Sequence, residues 1–143
     1  MTLNIWSKPA GSSRTDVGGD TGLKPVLMWI YGGRFSAGSS NTPFYHGEFT
    51  ADAQDVVVVT FNFRMNIFGF PGAPELEDKN IALLDQRLAV SWVRDNIRAF
   101  GGDPSRITIA GQSSGSWAAS NWAYAFQDVS RYYQSQSRGF GRC

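Results

Sequence analysis

The stretch Arg106-Ile-Thr-Ile-Ala-Gly-Gln-Ser-Ser-Gly115 joins a β-branched run directly to a turn that carries two glycines. The run favours a strand, and residues Ser116 to Phe126 after the turn can continue as a helix. The last five residues fit the pattern G-x-S-x-G, in which a serine lies on a sharp strand-to-helix turn and neighbours without side chains avoid clashes. Ser113 is therefore a candidate nucleophile. The alternative is a glycine-rich turn whose serine caps the helix.

Two continuous apolar runs, Pro25–Ile30 and Val56–Phe61, precede this stretch. Neither alternates polar with apolar residues, so both predict strands buried on both faces of a central parallel sheet. A short strand is also expected around Leu3 and Ile5, before a loop rich in Gly, Ser, Thr and Asp.

Between Asn80 and Phe100 the apolar spacing changes to that of an amphipathic helix. The predicted apolar face comprises Ile81, Leu84, Leu88, Trp92, Ile97 and Phe100, with Asp85, Arg87, Arg94 and Asp95 among the positions between them. Gly101-Gly102 then predicts the end of the helix. The order of strands and helices predicts an α/β fold with a mostly parallel central sheet and flanking helices.

Composition and charge exclude several classes of protein. The chain has 143 residues, 42% of them hydrophobic, with 13 basic and 12 acidic side chains and no long run of like charge. We therefore expect one globular domain that binds no nucleic acid. No apolar stretch is long enough to span a membrane, and Met1–Trp6 lacks the features of a signal peptide. Cys143 is the one cysteine. No metal or cofactor is expected, and no phosphate-binding glycine motif follows a strand.

A second glycine-containing segment follows the Pro25–Ile30 strand, in the sequence Trp29-Ile-Tyr-Gly-Gly-Arg-Phe35. Acyl transfer needs hydrogen-bond donors aimed at the developing oxyanion, and such donors commonly come from a glycine-rich loop after an earlier strand together with the residue after the nucleophile. The Ser114 backbone N–H is one candidate donor. Two adjacent glycines after a strand also occur in plain turns.

Taken together, these segments resemble the type B carboxylesterases, the family that includes cholinesterases and many fungal esterases and lipases. The resemblance runs from Thr2 to about Phe126. Its most specific stretches are Asp55–Arg64, Phe68-Gly-Phe70, Asn80 with Leu84–Ala89, Trp92–Ile97, Phe100–Ile107 and Gly111–Gly115. The resemblance implies a partial α/β-hydrolase fold over residues 1–127, followed by a divergent and loosely ordered tail over residues 128–143.

The resemblance also implies an ester hydrolase that works through a serine acyl-enzyme and acts on a small-molecule ester. Ser113 would be the nucleophile, and Gly33, Arg34 and Ser114 would supply the oxyanion-hole N–H groups. The family has a third glycine where this chain has Arg34, so either the hole is distorted or Arg34 keeps the backbone and projects its side chain into the site. Gln112, where cholinesterases carry glutamate, places the chain closest to the fungal esterases.

The chain ends soon after Ser113, before the acidic residue and the histidine that the family carries downstream. His46 is the single histidine, and the resemblance places it outside the triad. We therefore expect an N-terminal fragment that is inactive alone. The alternative function is a non-catalytic cholinesterase-like binding or adhesion protein, against which the retained Ser113 argues.

Overall fold

The computed structural model describes residues 1–9 and 22–125. Those residues form four strands, two short 3₁₀ helices and four α-helices. The strands are β1 (Leu3–Trp6), β2 (Lys24–Ile30), β3 (Val57–Phe61) and β4 (Gly102–Gly111), and the α-helices are α1 (Glu48–Gln54), α2 (Asn66–Gly69), α3 (Ile81–Asn96) and α4 (Ser114–Ala125). The 3₁₀ helices are Pro43–Tyr45 and Ile97–Phe100.

The four strands form one sheet in the order β1-β3-β2-β4. β2 runs parallel to both β3 and β4, whereas β1 pairs antiparallel with β3. Helical segments separate consecutive parallel strands, as crossover connections require. The predicted α/β architecture with a mostly parallel sheet is thereby confirmed.

Burial of the strands differs from the prediction in one respect. All five residues of β3 are buried, as expected for a strand covered on both faces. β2 instead alternates, with Val26, Met28 and Ile30 buried and Leu27 and Trp29 only half-buried. Within the described residues, α4 contacts β2 and β4, and α3 contacts β4. The face of β2 that carries Leu27 and Trp29 is covered only in part.

The sequence-based assignment of the apolar face of α3 was wrong. Leu84 and Leu88 are 42% and 60% exposed, and the predicted polar residue Asp85 is buried. The buried residues recur at helical spacing instead: Ala82, Asp85, Gln86, Ala89, Val90 and Val93. Small alanines on this face let the helix approach the sheet closely. The Asp85 carboxylate is paired with Arg64, and Gln86 Oε1 accepts a hydrogen bond, whereas Gln86 Nε2 has no partner among the described residues.

The third predicted strand is longer than expected, because β4 begins at Gly102 rather than Arg106. Gly101 takes the left-handed conformation at φ 81° where the helical segment ends, as its position predicted. Asp103 accepts hydrogen bonds from the Ser105 N–H and hydroxyl and from Arg106 Nε. These bonds, with that of the Ser105 hydroxyl the strongest influence, lower the pKa of Asp103 to about 2.

Pairing between β2 and β4 sets the position of the candidate site. Ile30 lies opposite Gly111 at the carboxyl ends of these neighbouring parallel strands. The segments that follow, beginning at Tyr31 and Gln112, therefore leave the sheet side by side. Ligand sites of open α/β sheets lie at this edge.

Two expectations from the sequence concern the tail and a membrane-spanning helix. The tail assigned to residues 128–143 falls outside them, so its boundary stays a prediction. Across residues 1–9 and 22–125, the structure has no helix that combines the length and the apolar character needed to cross a membrane.

Candidate functional site

Ser113 lies at the turn between β4 and α4 with a left-handed backbone, at φ 56°. Three backbone hydrogen bonds hold this turn: Gln112 N–H donates to the Ile30 carbonyl at 3.3 Å, Gly115 N–H to the Gln112 carbonyl at 2.9 Å, and Trp117 N–H to the Ser113 carbonyl at 3.1 Å. A positive φ at a serine is uncommon and persists only where the surroundings fix it. The side chain is exposed. The strand-turn-helix context that the G-x-S-x-G pattern requires is therefore present.

The two glycines of the pattern are required by close packing. A Cβ built on Gly115 would lie 2.1 Å from the Ile30 carbonyl oxygen, and one built on Gly111 would lie 2.5 Å from the Gly115 carbonyl carbon. Real Cβ atoms do not approach backbone atoms so closely. Glycine at both positions lets α4 start directly against the end of β2.

The segment from Gly32 to Gly38, here called the Gly32 loop, packs against the Ser113 turn. A Cβ on Gly32 would lie 2.7 Å from the Gln112 carbonyl oxygen and 3.0 Å from Ser113 Cβ. The glycine predicted to be part of a donor loop is thus adjacent to the candidate nucleophile. The structure brings together the two segments that the sequence analysis paired.

Within the Gly32 loop, three consecutive residues have positive φ: Gly33 at 132°, Arg34 at 58° and Phe35 at 59°. The Gly33 carbonyl accepts hydrogen bonds from the N–H groups of Ser36 and Ala37. In the part of the chain that the structure describes, the N–H groups of Gly33 and Arg34 donate to no protein acceptor. Both therefore remain available as donors.

Arg34, the departure from the family pattern, adopts the left-handed backbone that glycine reaches without strain. A residue with a Cβ reaches it at a cost of about 1–2 kcal/mol. Its side chain is exposed. Arg34 therefore carries backbone strain at a predicted donor position, and its effect on the oxyanion hole stays a prediction.

Phe35 connects the Gly32 loop to two other parts of the molecule. Its N–H donates to Ser114 Oγ at 3.3 Å, and its carbonyl accepts from the Asn66 N–H at 2.7 Å. Its ring packs edge-on against Phe70 at a centroid distance of 5.1 Å. The sequence analysis identified Ser114 only through its backbone and did not identify Phe35 or Asn66, because side-chain contacts between distant segments leave no local pattern.

Two residues before Asn66, Arg64 forms an ion pair with Asp85 of α3. The guanidinium donates to both carboxylate oxygens, from Nη2 at 2.6 Å and from Nε at 2.8 Å, and the Arg64 backbone N–H adds a third bond at 3.0 Å. The Arg64 guanidinium holds the pKa of Asp85 below its usual value, although burial acts in the opposite direction. The pair anchors the segment between β3 and α2, directly before Asn66, the first residue of α2.

His46 lies far from Ser113. Its ring is 5.1 Å from that of Trp6, in the edge strand β1, and Nδ1 is 3.7 Å from Glu48. Trp6 pairs with Val58 near the amino end of β3, whereas Ser113 follows the carboxyl end of β4 at the opposite side of the sheet. His46 is exposed, as expected for a loop histidine outside the site.

The sequence and the fold both match known esterases. A profile described as the carboxylesterase family matches residues 1–134, which reaches past the predicted domain boundary at residue 127. The chain is 44% identical over 117 residues to acetylcholinesterase of Gallus gallus, a match that covers 80% of this chain and 14% of that protein. It is 42% identical over 123 residues to secreted lipase 5 of Gibberella zeae, covering 82% and 23%. It is 45% identical over 126 residues to fumonisin B1 esterase of Sphingopyxis macrogoltabida, covering 82% and 22%.

Two solved structures share the fold. Carboxylesterase EST55 of Geobacillus stearothermophilus superposes with a TM-score of 0.70 at 46% identity, covering 82% of this chain and 24% of that one. A thermophilic pNB esterase superposes with a TM-score of 0.64 at 43% identity, covering 67% and 20%. The fold is thus part of an α/β-hydrolase fold, and the chain spans less than a quarter of the length of these relatives. The chain belongs to the carboxylesterase family.

Proposed function

We propose that this chain supplies the nucleophile and the oxyanion-hole segments of a carboxylic ester hydrolase. The observation that carries the proposal is the backbone of Ser113, which presents an exposed hydroxyl from a left-handed turn with Gly32 packed beside it. A serine held in this way can be reached by an ester carbonyl. The retained Ser113 argues against the non-catalytic binding or adhesion alternative.

In the proposed reaction, Ser113 Oγ attacks the carbonyl carbon of a small-molecule ester, and its proton passes to a base. The carbonyl oxygen becomes an oxyanion that accepts hydrogen bonds from the N–H groups of Gly33, Arg34 and Ser114. Collapse expels the alcohol, which takes the proton, and leaves an acyl-serine that water hydrolyses in the same way. His46, the one histidine of the chain, lies too far from Ser113 to serve as the base.

We also propose that the chain is closest to the fungal esterases within its family. The support is Gln112, which precedes the nucleophile where cholinesterases carry glutamate. Identity alone does not favour one branch, since the animal, fungal and bacterial relatives match at 44%, 42% and 45%. Hydrolysis rates of the chimera described in the next paragraph, measured with acetylcholine, short p-nitrophenyl esters and triacylglycerols, test the substrate class. A preference for acetylcholine contradicts the assignment to the fungal branch.

The function is tested in a chimera in which residues 1–125 replace the matching segment of Geobacillus carboxylesterase EST55. The chimera should hydrolyse p-nitrophenyl acetate, and Ser113→Ala should lower kcat by on the order of 10⁴–10⁶ because the nucleophile is lost. Ser116→Ala, a substitution of the same size one turn away on α4, is the control and should change little. A folded chimera whose activity survives Ser113→Ala contradicts the proposal.

The same chimera tests the effect of Arg34 on the oxyanion hole. Arg34→Gly removes the side chain and the backbone strain at a donor position. It should therefore raise kcat/KM by roughly tenfold, within the range for an impaired donor. Equal kcat/KM values for Arg34→Gly and the parent chimera show that Arg34 donates as well as glycine.

A further inference from the structure

The Ser114 side chain joins the two segments that form the proposed site. Its Oγ accepts the Phe35 N–H at 3.3 Å, across 79 positions of sequence and in a partly buried environment. Ser114 is the first residue of α4, so the helix and the turn before it fix the place of the hydroxyl. The Ser114 hydroxyl therefore starts from a fixed backbone position, and its hydrogen bond can hold the Gly32 loop in place.

The bond acts on a strained part of that loop. Arg34 and Phe35 both have left-handed backbones, which side chains disfavour. Strained residues persist only where contacts over-determine them. The peptide before Phe35 is held at its N–H by Ser114, and the peptide after it is held at its carbonyl by Asn66. Without the first contact, the peptide joining Arg34 to Phe35 is free to rotate toward a relaxed conformation.

We propose that Ser114 is a positioning residue whose hydroxyl fixes the backbone orientation of the Gly32 loop beside the Ser113 turn, where Gly33 and Arg34 are the proposed donors. The purpose of that orientation rests on the proposed function, but the bond itself does not. The bond also occupies the Phe35 N–H. The Gly32 loop therefore offers two donors to a substrate oxyanion, and Phe35 acts only through the shape of the loop.

Amide hydrogen exchange on the 143-residue chain tests the proposal. In the unmodified chain, the Phe35 amide should exchange slowly compared with an unstructured peptide. Ser114→Ala should speed its exchange by about five- to tenfold, the effect of one hydrogen bond of ordinary strength. Ser114→Thr retains a hydroxyl and should restore the slow rate. Ser116→Ala is the matched control and should leave Phe35 unchanged.

The pattern of exchange separates positioning from general destabilisation. Faster exchange confined to residues 34–37 in Ser114→Ala supports the proposal, whereas an equal increase in the β3 amides overturns it. If Ser114→Ala does not fold, the other chains decide: an unprotected Phe35 amide in the unmodified chain, or lost protection in Ser114→Thr, overturns the proposal. Exchange needs no hydrolysis, so failure of the proposed function is recognised separately, by the Ser113 dependence of the chimera.

Discussion

At Ser113, backbone strain and packing act together. The left-handed conformation costs about 1–2 kcal/mol for a residue with a side chain, and the three turn bonds accepted by the carbonyls of Ile30, Gln112 and Ser113 help to hold it. The flanking glycines, Gly111 and Gly115, allow the close packing of the turn because they have no Cβ. Substitutions beside the serine should therefore act through the shape of the turn.

Gly115→Ala tests this packing. Alanine normally favours a helix over glycine by about 1 kcal/mol, but here its Cβ would meet the Ile30 carbonyl oxygen at 2.1 Å. Because a backbone oxygen in a sheet cannot move aside easily, overpacking should lower the free energy of unfolding by about 1–3 kcal/mol. Urea unfolding followed by tryptophan fluorescence measures the change.

Gly72→Ala is the control for that experiment. A Cβ on Gly72 has no atom within 4 Å, so alanine there should be neutral or slightly stabilising. Equal stabilities of the two variants contradict the packing argument.

Among the elements, α3 shows both what the sequence could predict and what it could not. The helical stretch was predicted from Asn80 to Phe100, and the structure has α3 over Ile81–Asn96 followed by the 3₁₀ helix Ile97–Phe100, which ends at Gly101. Its buried face was not, because that face includes Asp85 and Gln86, whose partners are distant in sequence. Arg64 pairs with Asp85, and Trp122 Nε1 donates to Gln86 Oε1 at 3.2 Å. A polar residue satisfied by tertiary contacts has no signature in hydrophobic periodicity.

The Arg64–Asp85 pair predicts a specific pH dependence. The folded-state pKa of Asp85 lies below the unfolded value of about 4. Its contribution to stability is therefore fully present above about pH 4 and is lost as the pH falls through the folded-state pKa. Asp85→Asn leaves the Arg64 backbone N–H and its guanidinium with a poorer acceptor and should cost about 1–2 kcal/mol at pH 7.

Urea unfolding at pH 7 and at progressively lower pH measures this effect. The difference between Asp85→Asn and the unmodified chain should shrink below pH 4. Asp95→Asn removes an exposed carboxylate paired with Arg94 and should change stability little at either pH. A deficit in Asp85→Asn that persists unchanged into acid contradicts the assigned role of the charge.

The candidate site, like α3, was predictable only where a local sequence pattern determines the structure. The G-x-S-x-G turn and the two glycines after β2 are local signals, because each demands a particular residue at a particular position. Their contact could be expected only from the rule that parallel strands end at the same edge. The Phe35–Ser114 bond and the support from Asn66 depend on side-chain geometry across distant segments, which no spacing in the sequence encodes.

At the scale of the whole molecule, the chain carries the proposed nucleophile Ser113, and its one histidine, His46, packs against Trp6 of β1, far from it. The isolated 143-residue chain should therefore hydrolyse p-nitrophenyl acetate no faster than Ser113→Ala, because a serine hydroxyl is a weak nucleophile until a base removes its proton. Stopped-flow measurement of both chains at equal concentration is the test. A burst that depends on Ser113 and disappears in His46→Ala would show that His46 serves as the base after all.

The position of β4 at one edge of the described sheet also determines when the site assembles. β1, β2 and β3 can pair before β4 has been synthesised, since the sheet order β1-β3-β2-β4 places β4 outside them. At roughly 5–20 residues per second, several seconds of translation separate the Gly32 loop from the Ser114 hydroxyl 79 positions later. During that interval a nascent chain has a partly formed sheet, and its strained Gly32 loop lacks the Ser113 turn against which it packs in the structure. Ser113, the proposed nucleophile, is thus placed only after the three strands that can pair before it, and synthesis halted before residue 113 leaves a sheet that lacks this residue.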